Sequence, residues 1–559
     1  MSSFYFKLED LLNNGKNFYK LYFFLVVFLC AVKFPSLLTT DIQPWDEGIH
    51  ATRVLSIHSN GDLIDQSFHS VGKFYSASHP PLLIWLGYFI TLIFGISSVA
   101  LKLIAFVFSI LCIFLIFLIG KSLFSQKTGF FAALIFCSNI IFNIFSKRFQ
   151  LDIPYTFFIL LSFFLLFLYN DSRKFTYLIS SGIFFGCCLM TKILVGFFIP
   201  IVIFTAYFFI KEKVNFNLKD ILILTAVGVT LAVPWHLYMI IEHGIGFTDY
   251  FFKFHVYDRA LNGVEMNEKN SGIFFYFNFL LTLFPFSVLL LFSFIKDLIN
   301  FKNLDWKKIF VWVWFFTGML IITIIKTKLE VYVLLIIPPL CFLIPLLLNE
   351  LDKESIMFKT VAVVFTFLNI IWFSIKFFNL DIKSYLSQPN KFIFILSLTI
   401  FISVLFIISK HLANKIGLKK SYYIFILFCF FAFSIYYAVR VNEGETDFKI
   451  SKIKDLIEHN ESKKIIYVST NYRFNPQLSF YFKGLDLNWE NPDYEFEMLD
   501  TKDGLETTRN KLSGLDTNNY FIMVEKDNIN RANYPASESF IPDDFKLILK
   551  NEGYELYEN

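Results

Sequence analysis

Long apolar runs alternate with short polar breaks from Leu21 almost to Arg440, after which the chain turns polar. About 20 apolar residues are what a helix needs to cross a hydrocarbon layer of about 30 Å. The runs are too long and too uniformly apolar for the alternating strands of a barrel, and only helices or closed barrels satisfy their backbone groups in lipid. The pattern predicts spans at 21–38, 99–119, 129–146, 154–170, 176–191, 194–210, 220–241, 273–295, 309–325, 330–349, 358–378, 391–409 and 421–439. Residues 82–96 follow the double proline Pro80 and Pro81 and are too short to cross comfortably, so an interfacial or re-entrant helix is expected there.

Composition excludes a soluble protein. A mean hydropathy of +0.57 with 56% hydrophobic residues leaves a surface whose only solvent is lipid. The chain reads as a polytopic α-helical membrane protein. The net charge of +4 says little by itself, but its placement orients the chain. Lysines and arginines cluster between runs at Lys16 and Lys20, Lys121 and Lys127, Arg173 and Lys174, Lys211 to Lys219, Lys296 to Lys308, Lys353 and Lys359, and Lys410 to Lys420. With those clusters cytoplasmic, the spans come in pairs, giving about thirteen crossings, an inner amino terminus and an outer tail. Counting 82–96 as a span would put the later lysine clusters outside.

This gives a membrane domain at 1–440, with outer loops at 39–98 and 242–272, and a soluble α/β domain at 441–559. In the tail a helix is expected at 448–458, strands at 464–469, 478–482 and 520–524, and a hairpin over 545–557. All seven cysteines lie in or beside apolar runs, so no disulfide framework is implied. The first run lacks a small-residue cleavage site and reads as a retained anchor. The partner implied by this composition is the bilayer, and no nucleic acid.

Candidate chemistry collects on the outer side. Asp46 and Glu47 follow the first span, and loops further along bring His50, Arg53, His79, Arg148, Asp152, Lys192, His255, Arg259, Lys326 and Lys328. Charge retained at a membrane edge tends to face a water-filled cavity or a partner. Each residue also has an ordinary reading: Asp152 before Pro154 suits a helix N-cap, lysines at span ends snorkel, and single histidines are commonly packed. The adjacent carboxylates of the Trp45-Asp46-Glu47-Gly48 turn offer no such benefit. A transporter or flippase would place its charges within spans near the midplane, and a polymerase or ligase would place its key loop late in the chain.

The ordered set resembles the GT-C glycosyltransferases. It comprises Asp46-Glu47 after the first span, Pro80-Pro81-Leu82, the Arg148 to Pro154 stretch, Thr191-Lys192, Pro234-Trp235, His255 and Arg259, and Lys326 to Tyr332. Within that group it is closest to the bacterial branch of the protein O-mannosyltransferase superfamily, which includes the lipid A aminoarabinose transferases. One element departs: those transferases share Glu-Lys-Pro-Pro, where this chain has Ser78, His79, Pro80 and Pro81, so their sugar and acceptor are not carried over.

The resemblance implies a GT-C fold of about thirteen transmembrane helices with a small outer α/β domain. It also implies an inverting transfer of sugar from a polyprenyl-phosphate donor to a lipid, glycan or protein acceptor, at the outer face of a bacterial inner membrane. The leaving phosphate needs cations, for which Arg259, Arg53, Lys192, Lys326 and Lys328 are candidates. Asp46 is the expected base for an acceptor hydroxyl, with Asp152 as second catalytic carboxylate and Glu47 as a weaker one. His79, Arg148 and His255 are expected to position the acceptor. Some GT-C enzymes use a divalent metal, and Asp46, Glu47 and His79 are the ligands the sequence offers for one.

Overall fold

The computed structural model describes residues 15–350, except 69, 71, 72, 193, 194, 264–274, 281, 282, 284 and 285. It further describes 418–445, residue 450 and the tail segments 464–469, 476–481, 496–500, 509–510, 512–514, 520–525, 541–550 and 554–558. The expected spans 358–378 and 391–409 and nearly all of the expected helix 448–458 lie outside these residues.

Where the apolar runs predicted them, helices dominate among the described residues. Among the described residues, five are long and apolar enough to cross a membrane unaided: Tyr22–Thr39, Ser98–Leu123, Asp152–Ser172, Leu218–His243 and Trp306–Ile324. At 1.5 Å per residue, the 26 residues of Ser98–Leu123 span about 39 Å, more than the hydrocarbon thickness. Shorter apolar helices follow at Phe175–Leu189, Phe198–Ile210 and Ile337–Glu350. The helix Leu418–Glu445 runs past residue 440.

Among the described residues three expected spans are broken, and one of them, 330–349, begins as the 3-10 helix Glu330–Leu335 before the α-helix Ile337–Glu350. The span 129–146 is divided into Gln126–Cys137 and Ile140–Phe145, because the Asn139 side chain accepts from the Phe142 amide and starts a new helix. The span 273–295 is likewise divided into Phe275–Leu280 and Ser287–Ile299. The helix expected at 82–96 is present as Leu82–Phe94, about 20 Å long.

Small residues let the helices approach closely. A Cβ on Gly228 would stand 2.2 Å from the Phe185 ring and 2.9 Å from the Gly182 carbonyl, so Leu218–His243 lies directly on Phe175–Leu189. Packing of this kind replaces the hydrophobic drive that helices lack in lipid.

Among the described residues the tail forms a five-stranded sheet in the order β2-β1-β3-β5-β4. β1 (Lys464–Ser469) and β3 (Tyr520–Glu525) are the strands expected at those positions, and β4 (Lys546–Lys550) with β5 (Tyr554–Glu558) is the expected hairpin. β2 (Phe496–Asp500) pairs parallel with β1 and was not foreseen. The expected strand 478–482 is instead a helix, Gln477–Tyr481. Its apolar side chains leave the sheet plane and face the first loop. Leu478, Phe480 and Tyr481 share one buried core with Ile42, Ala51, Val54 and Phe149. The Gln477 amide donates to the Tyr554 hydroxyl at 2.8 Å, fixing this helix to β5.

Candidate functional site

The site is built around the helix Asp46–Asn60. Trp45 precedes it with φ of 65° and ψ of −130°, a left-handed conformation that costs a bulky side chain about 1–3 kcal/mol and that surrounding structure must hold in place. Three contacts do so. The Ile42 amide donates to the Tyr481 hydroxyl at 2.7 Å. The Lys102 ammonium donates to the carbonyls of Thr40 and Asp41. A Cβ on Gly48 would stand 2.5 Å from the Gln477 backbone nitrogen, so only glycine admits the tail helix there. The turn thus presents Asp46 at the surface while Glu47 is fully buried.

The two carboxylates are therefore not equivalent. Glu47 accepts from the Gln43 amide at 2.8 Å through Oε2 and from the Phe149 amide at 2.7 Å through Oε1. Burial raises its pKa, opposed by Lys102, the two backbone N–H groups and Arg148. It binds the Asp46 turn to the segment that leads into Asp152, a structural tie that Asp46 does not share in these hydrogen bonds. Arg148 serves the same junction, over the Phe145 ring at 5.6 Å and acting electrostatically on Glu47.

Asp152 opens the helix Asp152–Ser172 and accepts from the Lys192 ammonium at 2.6 Å. Burial works against the charge on Lys192, but Asp152, Tyr332 and Asp46 together raise its pKa. The ammonium also lies 4.8 Å from the Tyr332 ring centroid. Lys192 therefore stands under the influence of both carboxylates, at a small cleft walled by Asp152, Tyr155, Thr156 and Tyr332. Tyr332 was read only as part of a motif. Its buried hydroxyl has no hydrogen-bond partner among the described residues.

A second cluster adjoins the first through His50, on which both Arg53 and Lys192 act. Arg53 is fully buried; its Nη2 donates to Gln66 Oε1 at 2.8 Å and to the His79 carbonyl at 2.7 Å. Its Nε and Nη1 have no partner among the described residues, and neither do His50 Nδ1, Ser78 Oγ and His255 Nδ1. Each such buried group costs about 1–3 kcal/mol when left unsatisfied. The His79 ring lies 4.2 Å from that of His255 and 6.2 Å from that of His50, and His255 Nε2 bonds the Tyr75 carbonyl at 2.9 Å.

Burial lowers the pKa of all three imidazoles. Arg259 and Arg53 push His255 further down, to about 3, against the Tyr75 hydrogen bond. His50 is depressed also by Arg53 and Lys192, and His79 by His255, Arg259, His50 and Arg53. They are neutral near pH 7, so the positive charge here belongs to the arginines. Burial lowers Arg53 to about 9, which leaves it charged at neutral pH.

The remaining expected cations sit differently. Lys328 donates to the carbonyls of Ile322, Thr323 and Ile325 and so closes the C-terminal end of Trp306–Ile324. Those carbonyls engage the same ammonium donors that the expected phosphate contact would use. Lys326 is exposed; its backbone amide donates to the Ala260 carbonyl while that of Thr327 donates to Arg259, so the strand-like link holds Arg259 in place. The metal set Asp46, Glu47 and His79 is not assembled: Glu47 faces backbone amides, His79 faces other imidazoles, and no group of three or more metal-ligating side chains occurs among the described residues.

Comparisons with known proteins bear on the fold. Residues 78–238, which carry His79, Asp152 and Lys192, match the family described as dolichyl-phosphate-mannose-protein mannosyltransferase. Two relatives from Aquifex aeolicus (strain VF5), both described as uncharacterized proteins, are 27% identical over 55% of this chain and 68% of theirs, and 24% identical over 51% and 56%. Among solved structures, ArnT from Cupriavidus metallidurans bound to undecaprenyl phosphate matches with a TM-score of 0.69 at 14% identity, covering 96% of this chain and 98% of that one. ArnT in the apo state gives 0.67 at 15%, covering 96% and 97%. At such identity the likeness is one of fold. The chain has the ArnT-like GT-C fold, as the ordered motifs implied.

Proposed function

We propose that this GT-C protein transfers a sugar from a polyprenyl-phosphate donor to a lipid, glycan or protein acceptor at the outer face of a bacterial inner membrane. The observation that carries the reading is Arg53. A fully buried guanidinium with two nitrogens unpartnered among the described residues, in a cluster with Arg259 and three neutral imidazoles, is a prepared receptor for an anionic oxygen group. Undecaprenyl phosphate bound to the ArnT of like fold supports a lipid phosphate in that role. Thirteen or so spans, an inner amino terminus and an outer tail are the topology the lysine clusters favour.

In this mechanism Arg53 and Arg259 hold the donor phosphate and Lys192 stands between that phosphate and the carboxylates. The acceptor oxygen attacks the anomeric carbon as the bond from that carbon to the phosphate oxygen breaks. The electron pair leaves on the phosphate, whose growing charge the guanidinium groups stabilise. Asp46 takes the acceptor's proton, and Asp152, fixed by Lys192, orients the acceptor or the sugar. A single displacement inverts the anomeric centre.

The test incubates purified protein with a panel of polyprenyl-phosphate sugars and compares wild type with Asp46→Asn. Wild type is expected to release carrier phosphate from at least one donor, and the variant to do so about 10²–10⁴-fold more slowly, the range of general-base contributions. Equal release by the variant would remove Asp46 from the chemistry. No release from any donor would remove the glycosyltransferase reading.

A further inference from the structure

Gln66 stands where a buried arginine ordinarily meets a carboxylate. Arg53 is fully buried, and its two acceptors among the described residues, Gln66 Oε1 at 2.8 Å and the His79 carbonyl at 2.7 Å, are both uncharged. A carboxylate is available one residue away. Asp65 acts on Arg53 electrostatically, yet its own oxygens are engaged elsewhere: Oδ1 accepts from the Ser67 amide at 2.9 Å and Oδ2 faces His243 Nε2 at 2.9 Å. The chain thus brings an acid beside the guanidinium and commits it to other partners.

The segment that carries Gln66 is held at three points. The Trp85 indole, on Leu82–Phe94, donates to the Leu63 carbonyl, and the Trp235 indole, on Leu218–His243, donates to that of Ile64 at 2.9 Å. His243, the last residue of the same helix, adds the Asp65 contact. Within the segment, Asp62 Oδ1 accepts from the amides of Ile64 at 2.8 Å and Asp65 at 3.0 Å, a local turn that aspartate favours. Gln66 itself is 1% exposed, and its Nε2 donates to the Leu63 carbonyl at 2.7 Å, which fixes the amide and turns Oε1 to Arg53.

A fixed neutral acceptor does two things to the guanidinium. The group is planar and rigid, so holding Nη2 between two acceptors sets the directions of the N–H groups on Nε and Nη1. Those two nitrogens are the ones without a partner among the described residues. The amide also leaves the positive charge of Arg53 in place. Gln66→Glu would supply the same oxygen, but as a charge-assisted pair that cancels the charge an anion is to meet. We propose that Gln66 is a positioning residue, which orients Arg53 and preserves its charge for the donor phosphate. The assignment rests on Arg53 being the phosphate ligand.

The experiment places the full chain in nanodiscs and measures binding of undecaprenyl phosphate and of undecaprenol, its phosphate-free counterpart, for wild type, Gln66→Glu, Gln66→Met and Arg53→Met. Wild type is expected to prefer the phosphate. Gln66→Glu should melt near the wild-type temperature, while its Kd for undecaprenyl phosphate rises at least about tenfold and that for undecaprenol stays put. Gln66→Met, similar in length but without the acceptor, should lose about three- to tenfold. A merely structural acceptor gives the opposite order, because the stronger acceptor in Gln66→Glu would then leave phosphate binding intact. Phosphate affinity of Gln66→Glu equal to wild type, or an equal loss for undecaprenol, would overturn the assignment. Arg53→Met separates it from the reading beneath it: weakened phosphate binding there, with both Gln66 variants unchanged, removes Gln66 alone. Arg53→Met that binds the phosphate as wild type does, or wild type that does not prefer it, removes Arg53 as its ligand and the role of Gln66 with it. Should neither Gln66 variant fold, Trp235→Phe, which takes away the N–H on the Ile64 carbonyl, must weaken phosphate binding and spare undecaprenol; unchanged binding would again overturn the assignment.

Discussion

The helix Asp152–Ser172 ends in two polar assemblies of similar composition and opposite character. At its C-terminal end, Tyr169 donates to Asp220 at 2.9 Å, Arg173 bonds the other Asp220 oxygen at 2.9 Å, and Asp220 completes a capping box with Asn217. The Asn170 carbonyl and side chain take the Asn215 amides. Every group there closes on another, which is how a helix junction is made stable. At the N-terminal end, Asp152 has Lys192, but beyond it His50, Arg53, Ser78, His255 and Tyr332 keep buried polar atoms unpartnered among the described residues. The closed end holds the fold together, while the unsatisfied end retains capacity for a ligand.

If that contrast is right, substitutions at the two ends must differ in kind. The largest effect is expected from Lys192→Met, which removes the ammonium shared by Asp152 and Asp46; turnover of a polyprenyl-phosphate sugar should fall about 10²–10³-fold. Steady-state kinetics that remain near wild type would break the comparison. Next comes Gly48→Ala, which drives a Cβ to 2.5 Å from the Gln477 nitrogen and should cost about 1–3 kcal/mol by overpacking. Limited proteolysis should then release the tail faster than in wild type.

A third prediction concerns pH. His255 is held neutral, with its pKa lowered to about 3, whereas the unfolded chain takes up a proton near the ordinary value of about 6.5. Its contribution to stability is present in full above pH 6.5 and is lost as the pH falls from there toward 3. A thermal melting series should therefore slope downward with acid, and His255→Gln should flatten it. The smallest effect belongs to the closed end. Arg173→Ala removes an ion pair whose arginine is 43% exposed, so about 1 kcal/mol or less is expected in a denaturation curve, with turnover unchanged.

Much of the architecture was legible because crossing a bilayer leaves a long apolar run that nothing else needs. The breaks at 138–139 and just before Ser287 were not, since the apolar composition continues across them and only the Asn139 side chain marks a new helix start. The segment Gln477–Tyr481 was read as a strand because Leu478, Phe480 and Phe482 alternate, a pattern too short to distinguish the two periods. At the site, residue types near the membrane edge pointed to Asp46, Asp152, Arg53 and Lys192 as candidates. Partner choice was hidden. Nothing local separates Glu47 from Asp46, because the Phe149 amide that captures Glu47 lies 102 positions away and is set by tertiary packing, whereas the carbonyls that engage Lys328 belong to the helix end just before it. The role of Gly48 was hidden for the same reason.

The hydrogen bond between Ile42 and Tyr481 joins residues 439 positions apart. A ribosome adding about 5–20 residues per second makes the second roughly 20–90 s after the first. Throughout that interval the strained turn before Asp46 lacks the brace that the tail helix gives it at Gly48 and Ile42. A chain released early would carry every residue of the proposed site and still present it unsupported. The molecule thus has a completeness check in its topology: the earliest part of its chemistry is fixed in place by one of its latest parts.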